Sequence, residues 1–111
     1  MTALLVALGA AVGAPLRFVI ASRYDEPGRL PAGTMVVNIA GSGLLGLFSA
    51  MALSGNAMAL LGTGFCGGFT TYSAFAVQTH GLGPRRGTAY AVGTIALSLG
   101  ACALGFWLGA A

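Results

Sequence analysis

Lysine is absent from the sequence, only Asp25 and Glu26 are acidic, and five arginines and one histidine complete the titratable charge of 111 residues. Charged residues at 6% fall far below the roughly 25% of soluble domains. Outside the polar connections there is no Asp, Glu, Lys or His, which removes the intramembrane ionisable group that proton- or cation-coupled transport generally needs. It removes equally a catalytic carboxylate pair, a metal cluster and a nucleophile with its base, so no enzyme is expected. The net charge of +3 rests on scattered arginines that make no phosphate-tracking stripe, which argues against nucleic acid as a partner. Cys66 and Cys102 both lie in apolar stretches, where they read as packing thiols rather than a disulfide framework or a metal site. His80, at the end of such a stretch, reads as an interfacial residue.

What is present is apolar. Hydrophobic residues make up 57% of the chain, with a mean hydropathy of +0.89, more than the interior of so small a domain can hide. An all-α integral membrane protein follows. A spanning helix takes about 20 apolar residues, so the length accommodates four spans, expected at about 2–22, 33–53, 57–79 and 87–110 within a single domain of residues 1–111. The first run begins at Met1 without a basic leader and exceeds a signal-peptide core of about 7–15 residues, so a retained span is expected. "SRYDEPGRLPAG" (22–33) reads as a polar connection, "SGN" (54–56) as a tight turn and "HGLGPRRG" (80–87) as a basic connection. Among 19 glycines, the pairs Gly9/Gly13, Gly64/Gly68 and Gly105/Gly109 have the spacing that lets helix backbones approach closely in lipid.

The arginines lie on one side of this plan. Arg23, Arg29, Arg85 and Arg86 occupy the first and third connections, Arg17 lies toward the same end, and the 54–56 turn and both termini have none. The positive-inside rule then places those connections in the cytoplasm and both termini outside. Asp25 and Glu26, in the first connection, are expected to be solvated.

Three polar clusters interrupt the apolar segments. Asn38, Ser42 and Gly46 recur every four residues on one face of the second span, and Tyr90, Thr94 and Ser98 do the same on the fourth, a track about 12 Å long at 1.5 Å per residue. Interhelical hydrogen bonding, at about 0.6 kcal/mol per contact, is one reading of each track. A donor-lined route is the other, and the lack of carboxylates makes it suit an anion. The third cluster, "GFCGGFTTYSAF" (64–75), sets Gly67 and Gly68 as helix breakers beside Thr70, Thr71 and Ser73. Backbone freed at membrane depth persists only when buried in protein or lining a cavity, and inward carbonyls make a cage for a hard cation. Tyr72, Phe75 and Thr79 then share a face, and aromatic rings presented edge-on are able to touch an anion.

These residues resemble the Fluc (CrcB) family of fluoride channels along the whole chain. "GAAVGAPLRF" (9–18) is similar to the first-helix motif ending in Leu-Arg-aromatic, "VNIAGSGLLG" (37–46) to the second-helix Asn and Gly-Ser motif, and 64–75 to the third-helix signature. The resemblance implies a four-helix subunit with a broken third helix, paired antiparallel with a second subunit, two pores, and a structural sodium ion at the dimer centre. By motif, Gly67 and Thr70 would give backbone carbonyls to the sodium, and Asn38 would line the pore as a donor. Tyr72 and Phe75 would take the two aromatic-box positions, Tyr90, Thr94 and Ser98 the fourth-helix polar track, and Arg17 the pore entrance. Tyr72 stands where the family usually has Phe, and Gln78 where it has an acidic residue, which is expected to remove a negative charge from the route.

The implied function is passive, fluoride-selective export across the cell membrane, lowering fluoride toxicity, with fluoride, lipid and a second subunit as partners. A four-helix drug or cation antiporter is the alternative from another class and lacks its membrane carboxylate; a non-conducting membrane subunit leaves the polar faces unexplained. Antiparallel homodimers need a subunit that inserts both ways, whereas the arginine bias points to one fixed orientation. A homologous partner of opposite orientation is therefore expected, with the homodimer as the alternative.

Overall fold

The computed structural model describes residues 1–111 and is helical throughout, apart from its connections and ends. The elements are α1 (Thr2–Tyr24), α2 (Ala32–Ala50), α3 (Gly55–Ala57), a π-helix (Met58–Cys66), α4 (Gly67–Phe69), α5 (Ser73–Gly81) and α6 (Gly83–Ala110). Three of them, α1, α2 and α6, are long and apolar enough to cross a membrane, with mean hydropathies of 2.1, 1.4 and 1.8. Their 23, 19 and 28 residues correspond to about 34, 28 and 42 Å of helix, against a hydrocarbon core of about 30 Å. The chain is a multi-pass membrane protein.

The first, second and fourth expected spans overlie these three helices, with α6 starting four residues early, where Gly83 at φ 86° turns the chain and Pro84 occupies the first helical turn. The stretch expected as the third span, 57–79, is divided among α3, the π-helix, α4 and α5, none of span length by itself. The tight turn lies not at 54–56 but at Met51 and Ala52, the latter at φ 52°. Gly55 and Asn56 are helical because Ser54 caps α3, its side chain accepting from the Ala57 amide at 3.1 Å.

Packing follows the logic of a lipid solvent. In α1 the buried residues are Gly9 and Gly13, while Leu4, Leu8, Val12, Leu16 and Val19 face outward. Lipid is as apolar as leucine, so large side chains gain nothing by facing inward, and close backbone approach supplies the cohesion. A Cβ on Gly64 would meet the Val6 carbonyl at 2.7 Å, and one on Gly68 would meet the Ala10 Cα at 2.9 Å, which places α1 against the π-helix and α4. On the other side α2 packs on α6, where Gly46 abuts Cys102 and Gly105 abuts Gly43. Both cysteines are free, Cys66 buried and Cys102 half-buried.

Candidate functional site: a polar cavity at an interrupted helix

Gly67 and Gly68 do not break the helix. Both are helical, and the interruption comes after them, at Thr70 to Tyr72, where Thr70 is extended with φ −91° and ψ 163°. Glycine removes the bar to close approach but not the hydrogen-bond ladder; the ladder ends where side chains replace it. The Cys66 carbonyl accepts both the Thr70 amide, at 3.0 Å, and the Thr70 hydroxyl, at 2.8 Å. Asn38 then holds Thr71 with both ends of its amide: Nδ2 donates to the Thr71 carbonyl at 2.9 Å, and Oδ1 accepts the Thr71 amide at 2.7 Å. The Thr71 hydroxyl accepts the Ala74 amide at 3.2 Å, which starts α5. The bonds from Asn38 and from the Thr71 hydroxyl satisfy backbone groups that the interruption frees.

Two carbonyls are left over. Neither the Gly67 nor the Thr70 carbonyl oxygen accepts a hydrogen bond, whereas that of Gly68, between them, accepts from Arg17 Nε at 3.1 Å. Arg17 is thus placed against the interrupted segment, and it lines neither of the two cavities nearby.

Beside the interruption lies a cavity of about 550 Å³. Its wall includes Asn38 and Ser42 from α2, Gly67 and Thr70 to Tyr72 from the interruption, Phe75 from α5, and Thr94 and Ser98 from α6, with no charged residue. Thr94 is 3% exposed, and the hydroxyls of Thr94 and Ser98 are buried without a partner. Such groups are costly to bury unless something completes their hydrogen bonding. Tyr72 and Phe75 have ring centroids 6.4 Å apart and tilted at 44°, and Phe75 and Tyr90 are 5.3 Å apart at 41°. Tyr72 is 80% exposed, its hydroxyl unbonded, so this end of the cavity wall faces away from the subunit's own core.

Tyr90, expected in the same track, is buried but does not line the cavity; its hydroxyl donates to Gln78 Oε1 at 3.2 Å. Gln78 Nε2 donates in turn to Asp25 Oδ2 at 3.2 Å and to Thr34 Oγ1 at 3.1 Å. Asp25 is therefore not solvated: it is half-buried and also accepts the Thr34 amide and hydroxyl. Asp25 thus brings a carboxylate from the first connection to Gln78. Sequence reasoning missed Asp25, because an acidic residue inside the polar 22–33 connection reads as solvated and nothing in that stretch points to Gln78. A second cavity of about 420 Å³ opens among these connections, where Arg86 Nη2 donates to the Gly28 carbonyl at 2.9 Å and Arg29 pairs with Glu26 at 3.4 Å.

A family model described as "CrcB-like protein, Camphor Resistance (CrcB)" matches residues 4–110. A Rhodococcus jostii protein named fluoride-specific ion channel FluC 2 is 48% identical over 112 residues, covering 97% of this chain and 98% of its own. One of the same name from Cutibacterium acnes is 43% identical, with 98% of each chain covered, and a Streptomyces avermitilis protein named fluoride-specific ion channel FluC 1 is 40% identical, covering 96% and 94%.

Proposed function

The chain belongs to the CrcB family of fluoride channels, and from that premise we propose that it is a subunit of a fluoride-selective channel that releases fluoride passively from the cytoplasm. The observation that carries the reading is the pair of buried, partnerless hydroxyls on Thr94 and Ser98, in an uncharged cavity walled by the Phe75 and Tyr72 rings. Fluoride is a small and avid acceptor. Donors and ring edges replace its water, and close walls reject the larger chloride. Hydrogen fluoride crosses membranes neutral and dissociates in a less acidic interior; an inside-negative potential then drives the anion out, at about 2.3 kcal/mol per charge per 100 mV.

In this reading residues 55–81 form a third, interrupted span, and the four spans make one domain. The exposed Tyr72 and Gly67 beside the interruption support a second subunit on that face, packed antiparallel. The free carbonyls of Gly67 and Thr70 fit a hard cation, which takes oxygen ligands, and a facing subunit doubles their number. A sodium ion held there would supply fixed positive charge; it is not transported. The cell membrane is the location, with the arginine-bearing connections inside.

The test is fluoride efflux, against chloride, from liposomes that contain the purified chain alone or with an oppositely oriented homologue. Selective fluoride release in either preparation is expected. Failure in both overturns the reading.

A further inference from the structure

The larger cavity absorbs most of the polar side chains, but four groups at its arginine-bearing end form a separate chain: Asp25, Thr34, Gln78 and Tyr90. The direction of every bond in it is fixed. A carboxylate only accepts. Asp25 uses both oxygens, Oδ1 for the Thr34 amide at 3.1 Å and Oδ2 for the Thr34 hydroxyl at 2.6 Å and Gln78 Nε2 at 3.2 Å. Since the Thr34 hydroxyl gives its proton to Asp25, it meets Gln78 Nε2 as an acceptor. Nε2 thus faces two acceptors on one side, the amide oxygen faces the other way, and Tyr90 must donate to it. Tyr90 is 1% exposed, and its ring lies 5.3 Å from that of Phe75.

We propose that Asp25 is a positioning residue for the fluoride route: through the Gln78 amide it fixes the Tyr90 hydroxyl as a donor to Gln78, and so holds the Tyr90 ring against Phe75. The functional half of this rests on the fluoride-channel reading; the hydrogen-bond relay does not. Tyr90 serves the route as a wall behind the aromatic face, and its proton is not offered to the anion. Asp25 also spans the first connection to α2 and α5, so the arrangement sets the pore ring from outside the membrane-spanning helices.

Asparagine has one acceptor oxygen where Asp25 uses two, so in Asp25→Asn the Thr34 amide and the Gln78 end are both met only if the Gln78 amide turns over, and Tyr90 then accepts from Nε2 instead of donating to Oε1. Gln78→Glu sets a second carboxylate against Asp25 and repels it. The double substitution Asp25→Asn with Gln78→Glu restores a complementary set: the side-chain amide introduced at position 25 donates to the carboxylate introduced at position 78, which still accepts from Tyr90.

Liposome efflux is measured for the unaltered chain, both single variants and the exchange, in whichever subunit preparation conducts. Each single variant is expected to slow fluoride release about tenfold, the scale of one charge-assisted hydrogen bond, and the exchange to recover most of it. If Asp25 merely caps α2, the exchange releases fluoride no faster than Asp25→Asn, and the inference fails; unchanged flux in Asp25→Asn also ends it. A second readout needs no flux. Gln78 is the only glutamine, so its side-chain amide is identified by nuclear magnetic resonance after selective labelling. Exchange of its protons with water is expected to be slow relative to the exposed Asn56 amide, and to quicken in Asp25→Asn. Equal rates for Gln78 and Asn56 in the unaltered chain would overturn the relay even if the protein conducts. Slow exchange in a chain that conducts in no preparation would leave the relay standing and remove the channel reading instead.

Discussion

Asn38 shows how one side chain substitutes for a stretch of helix. It gives the Thr71 backbone a donor and an acceptor, at 2.9 and 2.7 Å, in a place where lipid offers neither. Asn38→Ala leaves both groups orphaned, at about 1–3 kcal/mol each, so a marked fall in thermal stability in detergent is expected. Ser42, one turn along the same cavity wall with no hydrogen bond of its own, is the control: Ser42→Ala is expected to change stability little. Thr94 makes the opposite case. Its buried hydroxyl has no partner, so Thr94→Val, nearly equal in shape, is expected to leave the fold as stable or more so while slowing fluoride release. A hydroxyl acting as interhelical glue gives the reverse: lower stability with unchanged flux. Phe75→Ile keeps an apolar group but removes the ring edge, and fluoride release is expected to be lost from a protein that still purifies as a folded species.

Among the elements, glycine positions divide sharply by what a methyl group would meet. On Gly13 it would run into the backbone of Phe65 and Phe69, with the Phe69 amide at 2.9 Å, and backbone cannot step aside as a flexible side chain can. Gly13→Ala is therefore expected to cost at least about 1–3 kcal/mol, as for an overpacked core, and to abolish folded protein in purification. Gly100 in α6 meets nothing within 4 Å, and Gly100→Ala is expected to raise stability by up to about 1 kcal/mol through helix propensity alone. The small-residue spacings that announce Gly9 and Gly13 were readable in the sequence, as were the three long apolar helices and the four-residue period of Thr94 and Ser98, because each is a local repeat. The π-helix over Met58–Cys66 was not: its i to i+5 bonding leaves no compositional mark, and an apolar run of that length reads as ordinary helix. Nor was the interruption after Gly68 placed correctly, since its position is decided by Asn38, 33 residues away from Thr71. Asp25 was misread for the same reason, its partner Gln78 lying 53 residues along the chain.

At the scale of the molecule, the five arginines have a common end. Arg23 closes α1, Arg29 precedes α2, Arg85 and Arg86 open α6, and Arg17 lies within about two helical turns of the same end. Arg86 reaches across to the Gly28 carbonyl, so the two charged connections are one surface and not two separate loops. No arginine or lysine stands at the other end to oppose them. A bias of this size is a sorting signal during insertion, because Lys and Arg near span ends are retained in the cytoplasm. An antiparallel pair made from such a chain alone requires half the copies to insert against that signal. A partner biased the other way removes the conflict. A reporter fused after Ala111 is therefore expected on the outer side only, and fluoride release is expected to rise when an oppositely biased homologue is co-expressed. Reporter signal on both sides of the membrane, together with full flux from the chain alone, would show that helix packing overrides the arginines and that two copies of this subunit suffice.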